Sequence, residues 1–208
     1  MVASDNRIAS EVGTRIMREG GNAVDAAVAT GFALAVAYPE AGNLGGGGYM
    51  VIRMADGRIA ALDYRETAPL AATRDMYIGA DGKVTGESVI GPKASGVPGT
   101  VAGMVEAHRR FGSLPLARVM APAIRLAGEG FIVDSIFSRS LSSDRYRIAG
   151  FDGKAVFFPD DSTPRIGSRF VQPALARTLR LIADSGAAAF YRGSVADSIA
   201  AQMKRSGG

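Results

Sequence analysis

The stretch Asp63-Tyr64-Arg65-Glu66 comes closest to chemistry in this chain. An arginine between two acids at a strand end admits two readings. One is a surface ion pair, which contributes little to stability. The other is a guanidinium aimed into a cleft beyond the strand, where its planar fork binds a carboxylate through two parallel hydrogen bonds. Residue types alone leave both open.

The other reactive residues narrow the field by exclusion. Cysteine is absent, which removes a thiol nucleophile, a thiolate zinc site and a disulfide framework. The single histidine, His108, excludes HExxH, which needs two. It sits near a helix C-terminus, where a cation is favoured, and reads as a surface residue. No serine lies in GxSxG or SxxK, so a conventional serine hydrolase is not indicated. Asp160-Asp161 reads as a solvated turn, because glycosidase carboxyls must converge across a cleft. Gly45-Gly46-Gly47-Gly48 invites comparison with phosphate loops. Those follow a strand and open a helix, whereas here a helix precedes and a strand follows. The run therefore reads as a sharp connection whose backbone packs too closely for side chains, or else as a backbone-lined ligand wall.

The elements that must position these residues follow from pattern. Ser4 or Asp5 caps a first helix reaching about Glu19, with Ile8, Val12 and Ile16 on one face. Gly20-Gly21 stops it. Asn22 opens a second helix that is apolar all round, as a buried helix is. Its uncharged stretch, Ala26 to Pro39, is shorter than the ~20 residues of a membrane span. Tyr49–Met54 and Ile59–Tyr64 form a hairpin about Asp56-Gly57. Residues 78–99, rich in glycine and proline, form an irregular passage. Helices follow at about 98–110, 116–128, 134–147, 172–185 and 193–205, with turn signals across 150–170. The chain has 208 residues, 47% of them apolar and 21% charged, with net charge +4. That is enough for a sizeable core. The basic residues are scattered and form no nucleic-acid stripe. Met1 to Asn6 lacks the apolar run of a signal peptide. No linker or charge run marks an internal domain boundary within 1–208.

Several motifs, taken in order, resemble the γ-glutamyltranspeptidase family. They are Glu19-Gly20-Gly21-Asn22-Ala23-Val24-Asp25-Ala26-Ala27, Gly42-Asn43-Leu44 with the glycine run, and Asp63-Tyr64-Arg65-Glu66 with Ala68-Pro69. Ser95-Gly96-Val97-Pro98-Gly99-Thr100-Val101-Ala102-Gly103, Gly130-Phe131-Ile132-Val133 and Phe190-Tyr191-Arg192-Gly193 follow. The resemblance implies an α/β (α+β) fold, the αββα sandwich of N-terminal-nucleophile hydrolases, of which this chain is a partial, helix-rich portion. It implies transfer of γ-glutamyl groups from glutathione and related donors, or their hydrolysis. A precursor cleaves itself, and the new N-terminal Thr of a small subunit is the nucleophile, with its own amine as base. The resemblance covers the N-terminal part of the large subunit, and Met1-Val2-Ala3-Ser4 resembles an internal stretch. On this reading no catalytic residue lies in the chain, and the isolated 208 residues are inactive. Arg65 matches the family's arginine that binds the substrate α-carboxylate. The partners implied are a γ-glutamyl substrate, the remainder of the large subunit and the small subunit. No cofactor, metal or nucleic acid is implied, and the location is periplasmic or secreted. A glutaryl or cephalosporin acylase of the same family, or an inert fragment, are the alternatives.

Overall fold

A computed structural model describes residues 1–148 and 150–208. The chain divides into two compact units, Met1–Asn43 with Met104–Gly186, and Leu44–Gly103 with Ala187–Gly208.

The first unit is built on helices. α1 (Arg7–Arg18) starts at Asn6, whose side chain accepts from the Ala9 amide, so the cap falls one or two residues later than the sequence suggests. It buries Ala9, Val12 and Ile16. α2 (Ala23–Ala37) is buried around nearly its whole circumference, with Val28, Phe32 and Val36 fully enclosed. Burying a side chain such as Phe32 contributes roughly 1.5–3 kcal/mol. α1 packs on α2, and α2 on α4 (Leu116–Glu129), which in turn packs on α7 (Pro173–Ser185). α3 (Thr100–Phe111) begins in the second unit and ends in the first.

Two strands here escape sequence pattern. β3 (Phe131–Ile132) pairs antiparallel with β4 (Arg169–Phe170), with Phe131 opposite Phe170. Two residues are too few for a period, and the partners are distant in sequence. Phe131, Phe137 and Phe170 close an aromatic cluster with centroids 5.1–5.9 Å apart. α5 (Ser135–Ile148) carries Phe137, and α6 (Gly153–Phe157) falls where only turns were expected.

The second unit contains the hairpin. β1 (Tyr49–Arg53) pairs antiparallel with β2 (Ile59–Asp63), Tyr49 opposite Asp63, about a turn whose Gly57 has φ +86°. Each strand is one residue shorter than expected. Residues 78–99 hold 3-10 turns at Gly86–Ser88 and Pro92–Ala94, a bridge between Ile78 and Val84, and Val97 bridged to Thr67. α8 (Ala188–Tyr191) and α9 (Ser194–Ser206) complete the unit. Among the described residues, no helix is long and apolar enough to cross a membrane.

Candidate carboxylate-binding site

Arg65 lies just past the end of β2, where the chain leaves the hairpin. The Asp63 carboxylate accepts the Arg65 backbone N–H at 3.0 Å, an Asx turn that ends the strand and sets the direction of the next residue. The two acids of the motif therefore do different things. Asp63 shapes the backbone, whereas Glu66 lies beside the guanidinium, its Oε2 3.4 Å from Arg65 Nε. That contact is not a formed hydrogen bond, and Oε2 is a buried oxygen without a hydrogen-bond partner among the described residues. The Arg65 side chain stays 62% exposed and makes no side-chain hydrogen bond among the described residues. Its guanidinium carbon is 6.0 Å from the centre of the Tyr49 ring, the outer limit of a cation–π contact. The fork thus keeps its donors available for an external anion.

The backbone behind Arg65 is closely packed because glycines let other segments press against it. A Cβ on Gly47 would run into the Tyr64 carbonyl and lie 2.8 Å from Arg65 Cα. One on Gly99 would overlap the same carbonyl, and one on Gly103 would overlap the Tyr64 ring. The Gly46 carbonyl accepts from both Gly99 N (2.8 Å) and Thr100 N (2.9 Å), tying the glycine run to the start of α3. Thr67 and Val97 exchange backbone hydrogen bonds on the other side. The glycine run is thus a packing device at Gly47, as its context suggests, while Gly45 has open space around it. Burial pushes the Tyr64 phenol above its ordinary range, which keeps it neutral under the loop.

The first of the motifs has a structural role. Asn22 and Asp25 form a capping box at the start of α2. Asp25, fully buried, accepts from Asn22 N (2.9 Å), Ser113 N (3.1 Å) and Ser113 Oγ (2.6 Å). Burial pushes its carboxyl up, yet the Ser113 hydroxyl and the surrounding amides outweigh that and hold it below the usual carboxylate range. His108 corrects the sequence reading. Its side chain is only 12% exposed, with Nε2 2.7 Å from the Leu114 carbonyl and 3.6 Å from Asp25 Oδ1. A carbonyl only accepts, so that nitrogen carries the proton. The chain after α3 folds back over the ring, and this return was not visible in the local sequence. Asp160-Asp161 is a solvated turn, as expected. Asp161 is 63% exposed and pairs with Lys154 at 3.1 Å and Arg145 at 2.6 Å.

The site is an exposed guanidinium at a strand end, on a closely packed turn within an α+β fold. The chain belongs to the γ-glutamyltranspeptidase family, whose model, "Gamma-glutamyltranspeptidase", matches residues 9–208. It is 47% identical to a glutathione hydrolase proenzyme of Pseudomonas sp. (strain A14), over all of this chain and 37% of that protein. It is 41% identical to the acylase ACY 1 proenzyme of Pseudomonas sp. (strain V22), over all of this chain and 39% of that protein. The crystal structure of Helicobacter pylori γ-glutamyltranspeptidase superposes with a TM-score of 0.97 at 44% identity, covering all of this chain and 60% of that one. The fold is therefore a helix-rich part of the N-terminal-nucleophile hydrolase sandwich. The chain spans 37% of the length of the first of these relatives.

Proposed function

We propose that the protein containing this chain transfers or hydrolyses γ-glutamyl groups, glutathione being the donor class, and that Arg65 binds the donor's α-carboxylate. The observation that carries this reading is the exposed Arg65 fork, set by the Asp63 turn and backed by Gly47 and Gly99. Two parallel N–H···O bonds to the α-carboxylate fix one end of the glutamyl group. The γ-carbonyl at the other end then becomes a fixed target, and positioning becomes rate. The nucleophile is a threonine supplied by the small subunit, outside this chain, with its own α-amine taking the hydroxyl proton. Attack forms a γ-glutamyl ester and releases the donor's amine. Water or an acceptor amine then takes the acyl group. The rest of the large subunit and the small subunit are the partners, and a periplasmic or secreted location follows from family resemblance.

Replacing Arg65 tests the clamp. Arg65→Lys in the full-length enzyme keeps the charge but loses the planar fork, and a charge-assisted bond is worth ~1.5–3 kcal/mol. The kcat/KM for γ-glutamyl-p-nitroanilide is expected to fall by about one to two decades. An unchanged value sinks the assignment.

The similarity to an acylase proenzyme supports a second reading, a glutaryl or cephalosporin acylase. A glutaryl group carries the same carboxylate at the same distance but lacks the α-amine. Arg65 would serve both donors, so side-by-side turnover of γ-glutamyl and glutaryl anilides discriminates the two readings.

A further inference from the structure

Tyr191 belongs to the Phe190-Tyr191-Arg192-Gly193 motif, which the clamp itself does not use. It ends α8 and turns its ring toward the start of α3. Its hydroxyl donates to the Pro98 carbonyl at 2.9 Å and accepts from the Ala102 amide at 3.2 Å. The first amides of a helix have no intrahelical acceptor and need one from outside. A side chain at the N-cap usually supplies it. Here the residue before Thr100 is glycine, which has none. Gly99 cannot carry a side chain, because its Cβ would occupy the Tyr64 carbonyl. The phenol, 89 residues further along the chain, takes over the capping. A phenol is neutral at neutral pH and can donate and accept at once, and burial pushes its pKa further up.

The segment that Tyr191 holds, 98–102, runs directly behind Arg65. Gly99 presses on the Tyr64 carbonyl, and the next turn, at Gly103, presses on the Tyr64 ring. A movement of this helix start is passed to Arg65 through backbone contact. We propose that Tyr191 is a positioning residue for the carboxylate clamp. By capping α3 from outside it holds segment 98–103 against Tyr64, and so holds the Arg65 fork in register without touching the substrate. This rests on the reading of Arg65 as the carboxylate ligand.

Tyr191→Phe in the full-length enzyme removes one oxygen and keeps the ring. Loss of a bond worth about 1 kcal/mol corresponds to about a fivefold change. KM for γ-glutamyl-p-nitroanilide is expected to rise about three- to tenfold, with kcat per active site, counted from the burst of p-nitroaniline, within about twofold. With 4-aminobutyryl-p-nitroanilide, which has the amine but no α-carboxylate, wild type and variant are expected to be equal. In an Arg65→Ala background, Tyr191→Phe is expected to have no further effect on KM. An unchanged KM, an equal loss on both donors, or a variant that fails to process would each overturn the proposal and leave Tyr191 a purely structural role. If Arg65→Ala itself leaves γ-glutamyl kinetics unchanged, the clamp reading fails instead. The two failures are therefore distinct.

Discussion

Asp25 shows how a buried charge is held by geometry alone. Its carboxylate receives the Asn22 amide at the start of α2 and the Ser113 amide and hydroxyl from a loop 88 residues away. These donors depress its pKa relative to the unfolded chain, where the value is ~3.9. A carboxyl with a depressed folded pKa contributes stability that is complete above the unfolded pKa and lost as pH falls through the folded one. Acidification below about pH 4 should therefore loosen the 111–114 loop. Asp25→Asn turns one acceptor oxygen into a donor facing donors, at a cost of about 1–3 kcal/mol. Melting temperature and amide-exchange protection at Ser113 and Leu114 are expected to fall in the variant at neutral pH. The gap to wild type is expected to narrow in acid. Equal melting of the two proteins at neutral pH would contradict the role given to Asp25. The sequence pattern showed Asn22 as a helix start but not Asp25 as the anchor of a distant loop, because the donors lie beyond any local window. His108 was misread for the same reason: its exposure is decided by Leu114 folding back over it.

At the scale of elements, legibility depended on length. α1 and α2 declared themselves through apolar spacing and the Gly20-Gly21 stop, and the hairpin through its Asp56-Gly57 turn. β3 and β4, two residues each, had no period to show. Arg65 was visible as a candidate fork at a strand end, but the elements that hold it were not. They converge from the glycine run, the start of α3 and the end of α8, and only three-dimensional packing brings these together. Gly99→Ala tests that convergence. The new methyl would overlap the Tyr64 carbonyl, backbone against backbone, so no side chain can swing away to make room. Overpacking of this kind costs ~1–3 kcal/mol. The kcat/KM for γ-glutamyl-p-nitroanilide is expected to drop by more than about tenfold, because the strain is relieved by shifting residues 64–65. Gly45→Ala, where a Cβ meets nothing within 4 Å, serves as the control and is expected to stay near wild type. If both variants behave alike, the glycines do not support the clamp.

On the scale of the whole molecule, the hairpin has one satisfied face and one open face. Ile52 and Leu62 point inward, with 6% and 8% exposure, while Tyr49, Val51 and Ile59 point outward, with 67%, 81% and 73%. Among the described residues β1 and β2 form a two-stranded sheet, so each has an unpaired edge. A hairpin with open edges and an apolar outer face is a template for further strands, and in the sandwich architecture a second layer covers such a face. The 208-residue chain prepared alone is therefore expected to self-associate. Sedimentation should show species larger than a monomer at micromolar concentration, with binding of a hydrophobic dye. Val51→Lys with Ile59→Lys places charges on that face and is expected to raise the monomer fraction. The core residues Ile52 and Leu62 are untouched by this pair of changes, so helical content should persist. The same preparation is expected to hydrolyse no γ-glutamyl-p-nitroanilide, since the proposed nucleophile is not among its residues. A monodisperse, cooperatively melting monomer would show that the open face needs no cover, and turnover by it would remove the need for a threonine from elsewhere.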